Sequence, residues 1–208
     1  MAKKFNVRIR LTEEILGSLP ASKDVYSKYV AAFAPTPDAE ADEIEGFGEG
    51  QNEKGLTVFY RKDGAPVILD YQVKGFLKAA WQALWKIPGT KSSAVKAGSS
   101  KIDRSVHIYP RYIPVGGEIA PENLERPLRA NTAQGPRVTL ASSEMIPAGA
   151  EIEFSIKILD DSMANACREW LAYGQYSGLG QWRNSGKGRF EVLSCEEVDE
   201  PLFPELGY

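Results

Sequence analysis

Glu151-Ile-Glu-Phe-Ser-Ile-Lys-Ile-Leu alternates polar and apolar residues without a break, and that period of two predicts an extended strand with one buried face. The next segment changes period. From about Ser162 to Tyr173, Met163, Ala166, Cys167, Trp170 and Leu171 recur at helical spacing, which predicts an amphipathic helix. A glycine-rich stretch then leads into Arg189-Phe-Glu-Val-Leu, a second strand. A strand, a helix and a strand in this order must bury the sheet face against the helix, so the C-terminal half predicts a layered α+β unit.

The rest of the chain supplies a matching half. Phe5-Asn-Val-Arg-Ile-Arg-Leu alternates in the same way, and Thr12–Pro20 reads as a short connection. Ser22 predicts an N-cap for a helix through Val25, Tyr29 and Phe33 that Pro35 stops. Thr36–Lys54 reads as a loop or weak helix. Leu56–Asp70 carries two apolar runs around Lys-Asp-Gly, a hairpin signal. Phe76, Leu77, Ala80, Trp81 and Leu84 predict a helix from about Lys74 to Lys86. Pro88–Ser100, rich in Gly, Ser and Lys, reads as a mobile loop. Val106–Val115 is a β run that Pro110 places at an edge or bulge. Arg137–Ala150 is a strand ending in a Pro-Ala-Gly turn, and the segment after Glu196 reads as a tail.

These elements predict an α+β fold of ferredoxin-like (RRM-like) type, an antiparallel sheet with helices on one face and inserted loops. The expected organisation is a single domain over 1–196, with insertions at about 36–54 and 87–135 and a tail at 197–208.

Composition narrows the function. No apolar run is long enough for a membrane helix, and Met1-Ala-Lys-Lys-Phe lacks the apolar stretch of a secretory signal. Cys167 and Cys195 have no Cys/His-rich neighbourhood, so the expectation is a cytoplasmic protein with two reduced thiols, no metal and no cofactor. The formal net charge of -3 conceals a segregation. Asp38–Glu53 holds seven acids and no base, whereas Lys54–Arg111 has eleven Lys and Arg against three aspartates, a local balance of +8. A polyanion responds to the local field, so a basic face on an acidic protein is compatible with nucleic acid.

Gly178-Leu-Gly-Gln-Trp-Arg-Asn-Ser-Gly-Lys-Gly-Arg-Phe carries the strongest signal. Gly178, Gly180, Gly186 and Gly188 allow close backbone approach to a ligand, and exposed N–H groups in such a loop form an anion nest. Arg183, Lys187 and Arg189 would neutralise phosphates, and Trp182 offers a face for a base to stack on. Lys74 and Lys78, one helical turn apart, would extend the groove. Lys91, Lys96, Lys101 and Arg104 would form a mobile thumb. Asp160 and Asp161 read as carboxylates favouring a helix start rather than a metal pair.

Glu151–Leu159, Asp160–Tyr173 and Gly178–Phe190 together resemble the C-terminal half of the repeat-associated mysterious proteins, the RNA-binding RAMP subunits of CRISPR effector complexes. Ile146-Pro-Ala-Gly-Ala-Glu-Ile-Glu-Phe resembles that superfamily's turn before its penultimate strand. Tyr71-Gln-Val-Lys-Gly-Phe-Leu-Lys resembles the motif in which a glycine and a basic residue open the first long helix of effector-backbone subunits. The chain also resembles uncharacterised prophage-encoded proteins sharing Gly180–Phe190. The resemblance implies RRM-like folds that cradle single-stranded RNA through the glycine loop and the basic helix start. It also implies phage or prophage origin and association with further copies head to tail.

The pattern departs from the cleaving backbone subunits, which carry an aspartate in a glycine-rich loop after the first strand. Here Leu16-Gly-Ser-Leu-Pro-Ala-Ser-Lys-Asp stands at that place, and the sole histidine is His107. The resulting expectation is a non-catalytic binder of single-stranded RNA or DNA. The alternatives are a counter-defence protein that imitates an effector subunit and binds a host defence complex, for which Asp38–Glu53 would mimic nucleic-acid charge, and an RNA endonuclease using His107.

Overall fold

The computed structural model describes residues 2–21, 56–120, 122–132, 135–198 and 201. The helix predicted from Ser22 to Phe33 and the acidic run Asp38–Glu53 lie outside the described residues.

Four strands form the central sheet: β1 (Lys3–Leu11), β7 (Val106–Tyr109), β12 (Glu151–Ile158) and β13 (Phe190–Val198). Their spatial order is β13-β1-β12-β7, and every neighbouring pair is antiparallel. Helix α1 (Asp70–Leu84) joins the first strand's half to β7, and α3 (Ala164–Ala172) joins β12 to β13. Taken as a β-α-β-β-α-β series, this is the fourth-first-third-second order of a ferredoxin-like sheet, so the α+β architecture expected from the residues is the one observed.

Alternation explains the core. Phe5, Val7, Ile9 and Leu11 of β1 and Ile152, Phe154, Ile156 and Ile158 of β12 face the same side and are buried. Against them pack Val73, Phe76, Leu77 and Ala80 of α1 and Met163, Ala166, Cys167, Trp170 and Leu171 of α3, in one continuous cluster. Phe76 meets Phe190 edge-on at 5.1 Å, tying α1 to the last strand. The opposite sheet face is polar. There Arg10 pairs with Glu151 at 2.8 Å and Arg8 with Glu153 at 3.2 Å.

Shorter strands make a peripheral layer. These are β2 (Ile15–Leu16), β3 (Leu19–Pro20), β4 (Leu56–Val58), β5 (Tyr60–Lys62), β6 (Ala65–Leu69), β8 (Tyr112–Pro114), β9 (Leu124–Thr132), β10 (Gly135–Ser143) and β11 (Met145–Ile146). One sheet runs β3-β4-β10-β9 and another β5-β6-β8, while β11 pairs β2. The hairpin predicted around Asp63-Gly64 is β5–β6. Strand β10 covers the first part of the strand expected over Arg137–Ala150, but its hairpin partner β9 was not expected, because Pro127 and the polar residues around it lack a strand period.

Three boundaries differ from expectation. Helix α1 starts at Asp70 rather than Lys74, since Gln72 Oε1 accepts the Leu69 N–H at 2.8 Å and so caps the first turn. Strand β13 continues to Val198, which stands opposite Lys4, so the tail begins later than Glu196. The segment read as a mobile loop at Pro88–Ser100 is instead docked. It contains a 3₁₀ turn at Ser92–Ala94 and the start of α2 (Gly98–Ser105), with Ser92, Val95 and Ile102 buried. Glu169 of α3 explains the docking, because its carboxylate accepts the Lys91 and Ser92 N–H groups at 3.0 and 2.9 Å. No helix among the described residues is long and apolar enough to cross a membrane.

Candidate nucleic-acid interface

The glycine loop and the start of α1 lie far apart in sequence, yet they line one cleft of about 230 Å³. Its walls are Tyr71, Gln72 and Gly75 of α1, Leu179, Gly180 and Arg183 of the loop, and Ser18 between them. Gln72 Nε2 donates to the Ser18 hydroxyl, which fixes that corner.

Gly75 is exposed in the middle of α1, and a Cβ placed there would meet nothing within 4 Å. A helix-interior glycine costs about 1 kcal/mol relative to alanine. No described residue crowds this position, so the helix backbone at Gly75 is open to the cleft.

The loop's own glycines divide into different roles. A Cβ on Gly178 would fall 1.9 Å from the carbonyl carbon of Gly188, and Gly188 itself has φ of +69°. These two close the neck of the loop, where Leu179 N–H donates to Gly188 O at 2.9 Å and Gly188 N–H to Glu14 O at 2.8 Å. Ser185 and Gly186 N–H groups are likewise bonded to Trp182 O and Arg183 O. The anion nest expected from the glycine spacing is therefore partly spent on internal bonds, and affinity for an anion falls to the side chains.

Among those side chains only Lys187 has an acid partner. It pairs with Glu14, whose carboxyl is held below the usual carboxylate range by that hydrogen bond. Arg183 and Arg189 make no ion pair among the described residues, and Arg189 Nε is buried without a hydrogen-bond partner. Gly186 lies against the Arg189 guanidinium, where a Cβ would stand 3.2 Å from Cζ. Trp182 is 36% exposed and adopts a left-handed backbone (φ 55°) at the tip.

Sequence reasoning missed Arg126 of β9. It is 6% exposed, its Nη2 donates to Gln181 Oε1 at 2.9 Å, and its guanidinium lies 4.7 Å from the centre of the Trp182 ring. Gln181 in turn donates to Gly17 O at 2.9 Å. No local pattern marks an arginine inside an unrecognised hairpin, so only the fold reveals it.

The remaining expected cations are dispersed. Lys78 pairs with Asp103 at 3.0 Å and Lys101 with Asp160 at 3.1 Å. Lys74 is half-buried, and burial holds its ammonium pKa below the ordinary value. Lys91, Lys96 and Arg104 are exposed, but the docked segment that carries them is not the thumb expected from its composition. His107 sits in β7 near Lys74, and neither residue lines the cleft. No cluster of three or more His, Cys, Asp or Glu suited to a metal ion occurs among the described residues.

The open face of the central sheet, where RRM-type domains stack bases, has a different character here. Its shallow cavity of about 410 Å³ is lined by Asn6, Arg8, Glu153, Ser155, Ser194 and Glu196, with Tyr109 exposed at its rim and the other aromatic lining residue, Phe154, buried. Paired charges and a single exposed ring make it a poor platform for bases.

No protein-family model and no curated protein matches the chain. Among solved structures it is similar to a chain of the Type III-B Cmr-beta complex bound to cognate target RNA, at 12% identity and a TM-score of 0.46 over 95% of this chain. It spans 61% of that chain's length. It is also similar to a chain of the Type IV-B CRISPR complex, at 11% identity and a TM-score of 0.47, covering 93% of this chain and 90% of the other. Both neighbours are chains of CRISPR complexes.

Proposed function

We propose that the chain is a non-catalytic binder of single-stranded nucleic acid, RNA above all, that holds its ligand in the cleft between α1 and the glycine loop. The observation that carries this reading is the convergence of Gly75 and Arg183 on one cleft. A bare helix backbone and a guanidinium with no ion pair among the described residues are the two features that a phosphodiester chain uses, one for close approach and one for charge. Arg189 adds a second guanidinium, and Trp182 adds a ring on which a base can stack. Non-catalytic holding is favoured over the endonuclease reading because His107 lies outside the cleft walls. Head-to-tail association of copies along one strand and a phage source belong to the same reading and rest on the sequence resemblance.

The test is fluorescence anisotropy with labelled single-stranded RNA and DNA across a salt series. Arg183→Ala combined with Arg189→Ala should weaken binding tenfold or more, about 1.4 kcal/mol, and flatten the salt dependence. Lys187→Ala should change affinity far less, because that ammonium is already neutralised by Glu14. Failure of the wild-type chain to bind any strand at low salt would remove this reading.

A further inference from the structure

Helix α1 borders a second cavity on the same exposed side, of about 480 Å³, and Gly75 lies on the rim of both. Its floor is the ring of Trp81, and its walls include Lys78, Gln82 and Trp85. Trp81 is rigidly placed. Its Nε1 donates to Val95 O at 3.0 Å, and Gly98 is pressed so closely that a Cβ there would stand 2.3 Å from the indole Cε2. Trp85 stacks on this fixed ring at 5.7 Å between centroids and 18° between planes, and remains 40% exposed. Lys86 holds its ammonium 5.2 Å from the centre of the Trp85 ring.

We propose that Trp85 is a stacking platform for a nucleobase, and that the bound single strand runs along α1 from Arg183, across Gly75, to this second cavity. The inference rests on the nucleic-acid reading of the cleft and extends it to a new subsite. Continuity is the first argument, since Gly75 lines both cavities and a Cβ at that position would meet nothing within 4 Å. Charge is the second. Among the described residues no acid lines the second cavity, and its walls come from the Lys54–Arg111 stretch whose local balance is +8. Energetics supply the third. An exposed cation–π contact contributes about 0.5–1 kcal/mol, whereas a base on an aromatic ring contributes about 1–3 kcal/mol. A base therefore displaces Lys86 from the ring and leaves its ammonium beside the strand's phosphates. Gly75 and Trp85 are separated by about 15 Å of helix axis, so the subsite is reached only by a strand longer than the first cleft holds.

The experiment compares a short oligonucleotide (about 4 nt) with a long one (about 16 nt), the two ends of the common range of single-strand site sizes. Trp85→Ala should lower affinity for the long strand fivefold or more and leave the short strand unchanged, and Trp85→Phe should restore most of the loss. Indole fluorescence quenching by the long strand should shrink in the Trp85→Ala variant. Equal affinities of wild type and Trp85→Ala for the long strand would overturn the subsite, while an Arg183→Ala defect in the same assay would keep the cleft. Loss of self-association in Trp85→Ala with unchanged long-strand affinity would overturn it too, in favour of a second copy as the occupant. If the wild type bound neither oligonucleotide, cleft and subsite would fall together.

Discussion

The guanidinium of Arg126 lies 4.7 Å from the centre of the Trp182 ring and donates to Gln181 Oε1, and this contact links the β9–β10 hairpin to the tip of the glycine loop. Arg126 Nε and Nη1 are buried and donate to no partner among the described residues. Burial also pulls its pKa below the ordinary guanidinium value, though not to neutrality, as arginine stays charged in proteins. The ring therefore has one side covered by a poorly compensated charge and the other available to solvent.

Arg126→Met should leave Tm unchanged or raise it. Replacing a buried, incompletely paired charge with an apolar side chain of similar length is often neutral or stabilising by about 1–4 kcal/mol. For a chain of this size 1 kcal/mol corresponds to roughly 2–4 °C. The same variant should weaken binding of single strands, because Trp182 loses the contact that orients it. Thermal melting and anisotropy check the two halves separately, and a Tm drop of more than about 4 °C would show that the guanidinium is well satisfied where it lies.

Two glycines should respond in opposite directions. Gly75→Ala adds a methyl group into open space in a helix interior, so stability should rise by about 1 kcal/mol while affinity for a single strand falls. Gly178→Ala drives a methyl group into the Gly188 carbonyl carbon, so it should cost about 1–3 kcal/mol and disorder the loop neck. Denaturant unfolding and anisotropy on both variants distinguish a glycine kept for a ligand from one kept for the fold. If Gly75→Ala bound as tightly as wild type, the helix backbone would not be a contact.

Stability should fall between about pH 7 and pH 5, and His107 should cause part of the fall. Burial is the main reason that its pKa lies below the ordinary value near 6.5, and the neighbouring Lys74 and Lys157 lower it further, against a hydrogen bond with the Arg104 backbone that raises it. The unfolded chain then takes up the proton first as pH drops. The contribution is present in full above the unfolded value and is lost as pH falls through it towards the folded one. His107→Gln should flatten the curve in this window. Urea unfolding at a series of pH values measures it, and an unchanged slope in the variant would place the titration elsewhere.

Local periodicity in the sequence determined the strands and helices of the central unit. Phe5, Val7, Ile9 and Leu11 alternate, and so do Ile152, Phe154, Ile156 and Ile158, because a residue two places along a strand returns to the same face whatever the rest of the chain does. Met163, Ala166, Cys167, Trp170 and Leu171 were legible as a buried stripe for the same reason at helical spacing. The glycine loop announced itself by composition, and so did its cations. Tertiary structure decided what each of them does. Lys187 is neutralised because the chain returns Glu14 to its side, whereas Arg183 meets no acid among the described residues. Gly178 serves the neck and Gly75 the cleft, a difference set by which backbone stands opposite each Cα. Arg126 gained its place under Trp182 through a hairpin with no period to reveal it. Pairing and burial depend on distances between residues remote in the chain, and a sequence pattern carries only the geometry of near neighbours.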